Sequence, residues 1–91
     1  MQRDLDSFIV VAAYNEAAVI AEVVGELLFT YPRVVVVDDG SADGTAAIAR
    51  DAGAIVLHHP LNRGQGAALQ TGFDYCLRHG ARYAVTFDAD G

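Results

Sequence analysis

Val34-Val35-Val36-Val37-Asp38-Asp39-Gly40-Ser41 is the stretch whose reading decides the fold. Four successive β-branched residues are stiff at χ1 and suit a strand better than a helix. The run does not alternate with polar residues, so both faces of this strand should be covered, as in parallel sheets. It ends abruptly in two acids, a glycine and a serine, which is turn and capping chemistry.

Working outward, the same sentence repeats. Phe8–Ala13 is a second continuous apolar run. Asn15 is a candidate N-cap for a helix from about Glu16 to Leu28, with Val19, Ile20, Val23, Val24, Leu27 and Leu28 on one broad stripe. Tyr31-Pro32 closes that unit. Asp43 can cap a helix over Gly44–Ala52, with Gly53 at its C-terminal end. Ala54–Leu57 reads as a third strand, His58–Gly64 as a loop, Gly66 to about His79 as a third helix closed by Gly80, and Tyr83–Phe87 as a fourth strand. Strands alternating with helices imply βαβ units. The expected class is α/β: a Rossmann-like parallel sheet of about four strands with helices on both faces. Strand order is not legible in the sequence.

Composition narrows the function. The 91 residues are 53% hydrophobic and 20% charged, fit for one packed domain or part of one, with a formal net charge of −6. That charge argues against a nucleic-acid partner, which needs a basic face to neutralise phosphates. The single cysteine, Cys76, allows no internal disulfide and reads as a buried thiol, consistent with a reducing compartment. The acidic N-terminus does not resemble a signal peptide, and no apolar run approaches the roughly 18–20 residues that span a bilayer. The segment is expected to be cytoplasmic.

The polar clusters all follow strands: Tyr14-Asn15-Glu16, Asp38-Asp39-Gly40-Ser41, Asn62-Arg63-Gly64-Gln65-Gly66 and Asp88-Ala89-Asp90-Gly91. In a parallel sheet these four positions share one edge, the edge where ligands bind. Asp88 and Asp90, two apart beyond a strand, can converge on a hard cation such as Mg²⁺ or Mn²⁺ that also binds substrate phosphates; a solvated turn is the plainer alternative. Asp38 and Asp39 are placed to accept hydrogen bonds from a ribose or base. A calcium loop begun at Asp39 fails, because Arg50 stands where a bidentate Glu is needed. Gly64 and Gly66 permit close backbone approach at a helix start, but Leu69 breaks a dinucleotide fingerprint. His58 and His59 point to opposite sides of an extended chain and are expected as exposed strand-end residues. His79 sits favourably at a helix C-terminus, and Phe73 and Tyr75 read as core.

Taken in order, Phe8–Glu16, Val34–Ser41 with Asp43 and Thr45, Asn62–Gly66 with Ala67, Gly72 and Phe73, and Phe87–Gly91 resemble the start of family 2 glycosyltransferases, and within them the dolichyl- or polyprenyl-phosphate sugar synthases. The resemblance covers nearly the whole chain. It implies the nucleotide-binding half of a GT-A fold. Tyr14 and Glu16 would contact the nucleotide, as would the backbone near Ala12 and Val37. Asp39 would bind base or ribose. Asp88 and Asp90 would form the DxD metal motif, with Asp88 also near the nucleotide. The reaction implied is metal-dependent transfer of a hexose from a UDP- or GDP-sugar to a polyprenyl phosphate, at the cytoplasmic face of a membrane.

Two positions depart from the family pattern: Ala12 stands where proline is common, and Gln65 where lysine is common. The family continues past the DxD motif with acceptor-binding elements. Residues 1–91 are therefore expected to hold the donor-binding part alone, with no identifiable catalytic residue, inactive by itself and with an exposed strand edge prone to self-association. Two rivals remain open: a non-catalytic nucleotide-binding module, and a haloacid-dehalogenase-like phosphatase with Asp88 as nucleophile. The latter leaves Tyr14, Asn15, Glu16, Asp38 and Asp39 without a role.

Overall fold

The computed structural model describes residues 3–89. Seven elements follow in the expected order: β1 (Ser7–Ala13), α1 (Ile20–Leu28), β2 (Arg33–Asp39), α2 (Thr45–Asp51), β3 (Ile55–His59), α3 (Gln65–Arg78) and β4 (Tyr83–Asp88). The four strands form one parallel sheet in the order β3-β2-β1-β4. The chain steps outward from β1 to β3, then returns past β2 and β1 to lay β4 on the other side. A switch point therefore lies between β1 and β4.

The unbroken apolar runs are explained by which face each residue serves. Ile9, Val11, Ala13, Val34 and Val36 pack under Ile20, Val24 and Leu27 of α1 and Ala49 of α2. The intervening Phe8, Val10, Val35 and Val37 pack under Ala68 and Cys76 of α3. Each valine so buried contributes roughly 1.5–3 kcal/mol. Gly72 lets α3 sit close to the sheet: a Cβ there would collide with Cγ1 of Val10 and lie 3.3 Å from Cγ2 of Val37.

Cover on both faces holds for β1 and β2 but not for the margins. All six residues of β4 are exposed, and among the described residues α3 only skirts that edge strand.

The helix starts differ from expectation. α1 begins at Ile20, not Glu16, and Asn15 is not its cap. Asn15 has a left-handed φ of 53°, and its side chain accepts from the amide of Ala42 (2.8 Å). The amides of Glu16 and Ala17 are satisfied from the next βα unit, by Thr45 Oγ1 (2.9 Å) and Asp43 Oδ2 (3.2 Å). The cap is supplied tertiarily. The buried stripe is also narrower, since Val19 is exposed. Asp43 does accept from the first-turn amide of Thr45 (3.0 Å). The amide of Ala54 reaches back to Ala49 O across Gly53, as expected for that helix end.

The third strand is longer than expected. It runs through His58 and His59, which pair in register with Asp38 and Asp39 of β2.

Candidate functional site

The four polar clusters do meet at one edge of the sheet, as far as the described residues reach. A cleft of about 360 Å³ opens there. Ala12, Ala13, Tyr14 and Glu16 line it from β1 and its loop, Asp39 from β2, Asn62, Gly64 and Gln65 from the loop into α3, and Asp88 and Ala89 from β4. It straddles the switch point, where parallel α/β sheets bind ligands. Asp90 lies outside the described residues. Val37 does not line the cleft; it pairs with Ala12 inside the sheet, and its side chain is buried under α3.

Register shows how the two acids relate. Val37, Ala12 and Asp88 are in line across β2, β1 and β4, so Asp88 leaves the sheet on the α3 side. Asp39, two residues beyond Val37, leaves on that side too. Two residues of rise and two strand spacings separate their Cα atoms by about 12 Å.

Asp39 is buried and already in use. Its Oδ1 accepts from His59 Nδ1 (2.8 Å) and the Arg63 amide (2.9 Å), and Oδ2 accepts from the Gly64 amide (2.8 Å). Burial pushes its pKa up, but the hydrogen bonds from His59, Arg63 and Gly64 outweigh that and hold the carboxyl below the usual carboxylate range. A carboxylate offers about four lone-pair sites. Three are filled, and the remaining one belongs to Oδ2. Asn62 Nδ2 also donates to the Asp39 carbonyl (3.2 Å), so the loop into α3 is moored to the tip of β2.

Asp38 serves the opposite face. It accepts from the Ser41 amide (3.2 Å) and from His58 Nδ1 (2.9 Å) and does not line the cleft. Ser41 Oγ in turn accepts from the Asn15 amide (2.8 Å), which ties the loops after β1 and β2 together. Tyr14 is half-exposed at the cleft mouth.

The histidines correct one expectation. They do point to opposite sides, and His58 is exposed, but His59 is buried at 5% relative exposure. Its Nδ1 meets Asp39 and its Nε2 meets Thr71 Oγ1 (2.8 Å). Nothing local in the sequence marks this. The only signal is that adding two residues to β3 places both histidines opposite the two acids. The other readings stand: Cys76 is buried, with burial raising its pKa, and His79 donates to or stacks on its own helix turn through Tyr75.

The charge pattern of the edge is one-sided. The cleft lining includes Glu16, Asp39 and Asp88 and no arginine. The chain's six basic residues are all arginines, and Arg63 alone stands in a ligand-edge loop.

Fold and cleft together define a parallel α/β unit with an open crevice at the switch point. The model of the family described as glycosyl transferase family 2 matches residues 8–91, and the chain belongs to that family. It is 48% identical over 85 residues to an uncharacterized protein of Methanocaldococcus jannaschii, covering 92% of this chain and 35% of the relative. It is 38% identical over 93 residues to the polyprenol monophosphomannose synthase of Mycolicibacterium smegmatis (93% and 35%). It is 34% identical over 102 residues to the UDP-N-acetylglucosamine–dolichyl-phosphate N-acetylglucosaminyltransferase of Methanococcus voltae (92% and 41%). The chain thus spans little more than a third of the length of these relatives. Membership of this family gives no support to the phosphatase alternative.

Proposed function

We propose that this chain forms the donor-binding part of an enzyme that transfers a hexose from a UDP- or GDP-sugar to a polyprenyl phosphate. The observation that supports this most is the acidic cleft at the switch point, with Asp39 at one end and Asp88 about 12 Å away at the other. That separation suits a nucleoside at the Asp39 end and its diphosphate at the Asp88 end. Relatives whose names specify polyprenol or dolichyl phosphate chemistry point to the acceptor class.

In this reading the open lone pair of Asp39 Oδ2 accepts from base or ribose. Tyr14 and Glu16 flank the nucleotide, and the backbone near Ala12 forms the floor. A diphosphate in a cleft lined by Glu16, Asp39 and Asp88 without a basic side chain needs a countercharge. Mg²⁺ or Mn²⁺ fits that donor chemistry, since such ions bind one or two carboxylates plus substrate phosphates. Asp88 and Asp90 would hold it. Two carboxylates leave coordination positions that substrate phosphates would complete. When bound, the ion supplies Lewis-acid neutralisation of the leaving diphosphate.

A lipid-phosphate acceptor would bring the reaction to a membrane, and in this reading to its cytoplasmic face. Among the described residues no helix is long and apolar enough to cross one. The bare β4 edge is the surface through which the 91-residue chain would self-associate.

Calorimetry with UDP and GDP, with and without Mn²⁺, tests the reading. The expected result is a nucleotide signal that requires the metal, lost in Asp88→Asn while the circular dichroism spectrum is unchanged. No binding under any condition, or full metal dependence in Asp88→Asn, would sink it. Incubation with a labelled sugar nucleotide and polyprenyl phosphate should give no turnover from these 91 residues alone.

A further inference from the structure

We propose that His59 is a positioning residue for the donor site: from its buried place between Thr71 and Asp39 it aims the Asp39 carboxylate and, through it, fixes the Arg63–Gly64 turn that walls the cleft. The affinity part of this role rests on the donor-site reading above.

One ring joins three elements and a loop. His59 ends β3, Asp39 ends β2, and Thr71 lies in the middle of α3. Both ring nitrogens have partners at 2.8 Å. A carboxylate facing a ring nitrogen accepts, so Nδ1 carries a proton. A neutral ring protonated at Nδ1 accepts at Nε2 from Thr71 Oγ1 (2.8 Å), whose alternative acceptor is Ala67 O (3.1 Å).

The terminal torsion of an aspartate is broad and has no sharp rotamer well. Asp39 is the last residue of β2 and pairs in register with His59, so the ladder fixes its backbone but not its side-chain torsion. Without His59, Oδ1 keeps only the Arg63 amide. The carboxylate could then turn, and the Arg63 and Gly64 amides would lose the common acceptor that holds them side by side. Of the cleft lining, the His59 ring hydrogen-bonds Asp39 alone, which makes its role indirect.

Three variants test this. His59→Phe keeps an aromatic ring and removes both hydrogen bonds. His59→Asn keeps a donor near the place of Nδ1. Thr71→Val cuts only the far bond. Three readouts are followed: the Asp39 carboxyl titration by NMR, hydrogen exchange of the Arg63 and Gly64 amides, and UDP and GDP affinity with Mn²⁺. In His59→Phe the Asp39 titration should move up toward the ordinary carboxylate range, protection of both amides should fall, and nucleotide affinity should drop roughly tenfold, the order expected for losing a hydrogen bond to a charged group. His59→Asn should recover most of all three.

A folded His59→Phe with unchanged titration and unchanged amide protection overturns the proposal. So does an Asn variant that loses as much as Phe. If the parent chain binds no nucleotide, the donor-site reading fails, while titration and exchange still decide the positioning role. If His59→Phe does not fold, Thr71→Val decides: smaller shifts in the same directions support the role, and none in any readout refutes it.

Discussion

Gly40→Ala should be among the most damaging single-methyl additions to this chain. Gly40 has φ +77°, a region that costs a non-glycine residue roughly 1–2 kcal/mol. Its new Cβ would also collide with the Asn62 amide nitrogen and lie 2.6 Å from the Leu61 carbonyl carbon. Those are backbone atoms and cannot rotate away. Restoring ordinary van der Waals contact requires the 61–62 segment to retreat by about 1 Å. The Arg63 and Gly64 amides now lie 2.9 and 2.8 Å from the Asp39 carboxylate, so such a retreat takes both beyond hydrogen-bonding reach. Each bond to a charged group is worth about 1.5–3 kcal/mol.

Allowing for partial relaxation, a loss of about 3 kcal/mol or more is expected, against total stabilities of roughly 5–15 kcal/mol for small domains. At an m-value of about 1.5 kcal/mol/M, that lowers the urea midpoint by roughly 2 M. The chain has no tryptophan, so far-ultraviolet circular dichroism is the suitable probe. Gly40→Asn separates the two causes. Asparagine tolerates the left-handed region but carries the same Cβ, so it should be nearly as damaging as alanine. A midpoint shift below about 0.5 M for alanine, or a full rescue by asparagine, would refute the steric reasoning.

Other consequences can be checked with the same tools. Gly72→Ala gains about 1 kcal/mol of helix propensity but drives a methyl into Val10, an overpacking cost of about 1–3 kcal/mol; it should be destabilising on balance, and Val10→Ala in the same chain should recover part of the loss, with simple additivity of the two variants counting against the contact. The Asp39 carboxyl has a lowered pKa when folded, so its contribution to stability is complete above the ordinary carboxylate range near pH 4 and fades as pH falls through the folded value. Asp39→Asn should therefore be less stable than the parent at pH 7, and urea melts should show the gap closing on the acid side; a gap independent of pH would contradict this. Val85→Lys, placing a charge on the bare β4 edge, should shift a concentration-dependent sedimentation profile toward monomer. A parent chain that is monomeric throughout would remove the self-association reading.

Much of this molecule is legible one residue at a time. Val34–Val37 and Phe8–Ala13 point to a sheet covered on both faces, because β-branched runs suit strands and these have no polar face to leave in water. Four polar clusters after four strands then fall on one edge by geometry alone, and the cleft of Ala12, Tyr14, Glu16, Asp39 and Asp88 follows. Local chemistry misled where partners came from elsewhere in the chain. Asn15 looked like a helix cap, yet the amides of Glu16 and Ala17 found Thr45 and Asp43 across the β1–β2 boundary. His59 looked like an exposed strand end, yet it is buried.

What the sequence determined by itself is periodicity and order: which segments bury both faces, and which polar groups follow them. Only the tertiary structure decided the lateral order β3-β2-β1-β4, the bare margin of β4 and the internal claim on three of Asp39's acceptor sites. Those depend on pairing between residues about 20 or more apart, as between Asp39 and His59 or Gly64. Such pairing is set by how strands align side by side, which no local pattern of apolar and polar residues encodes.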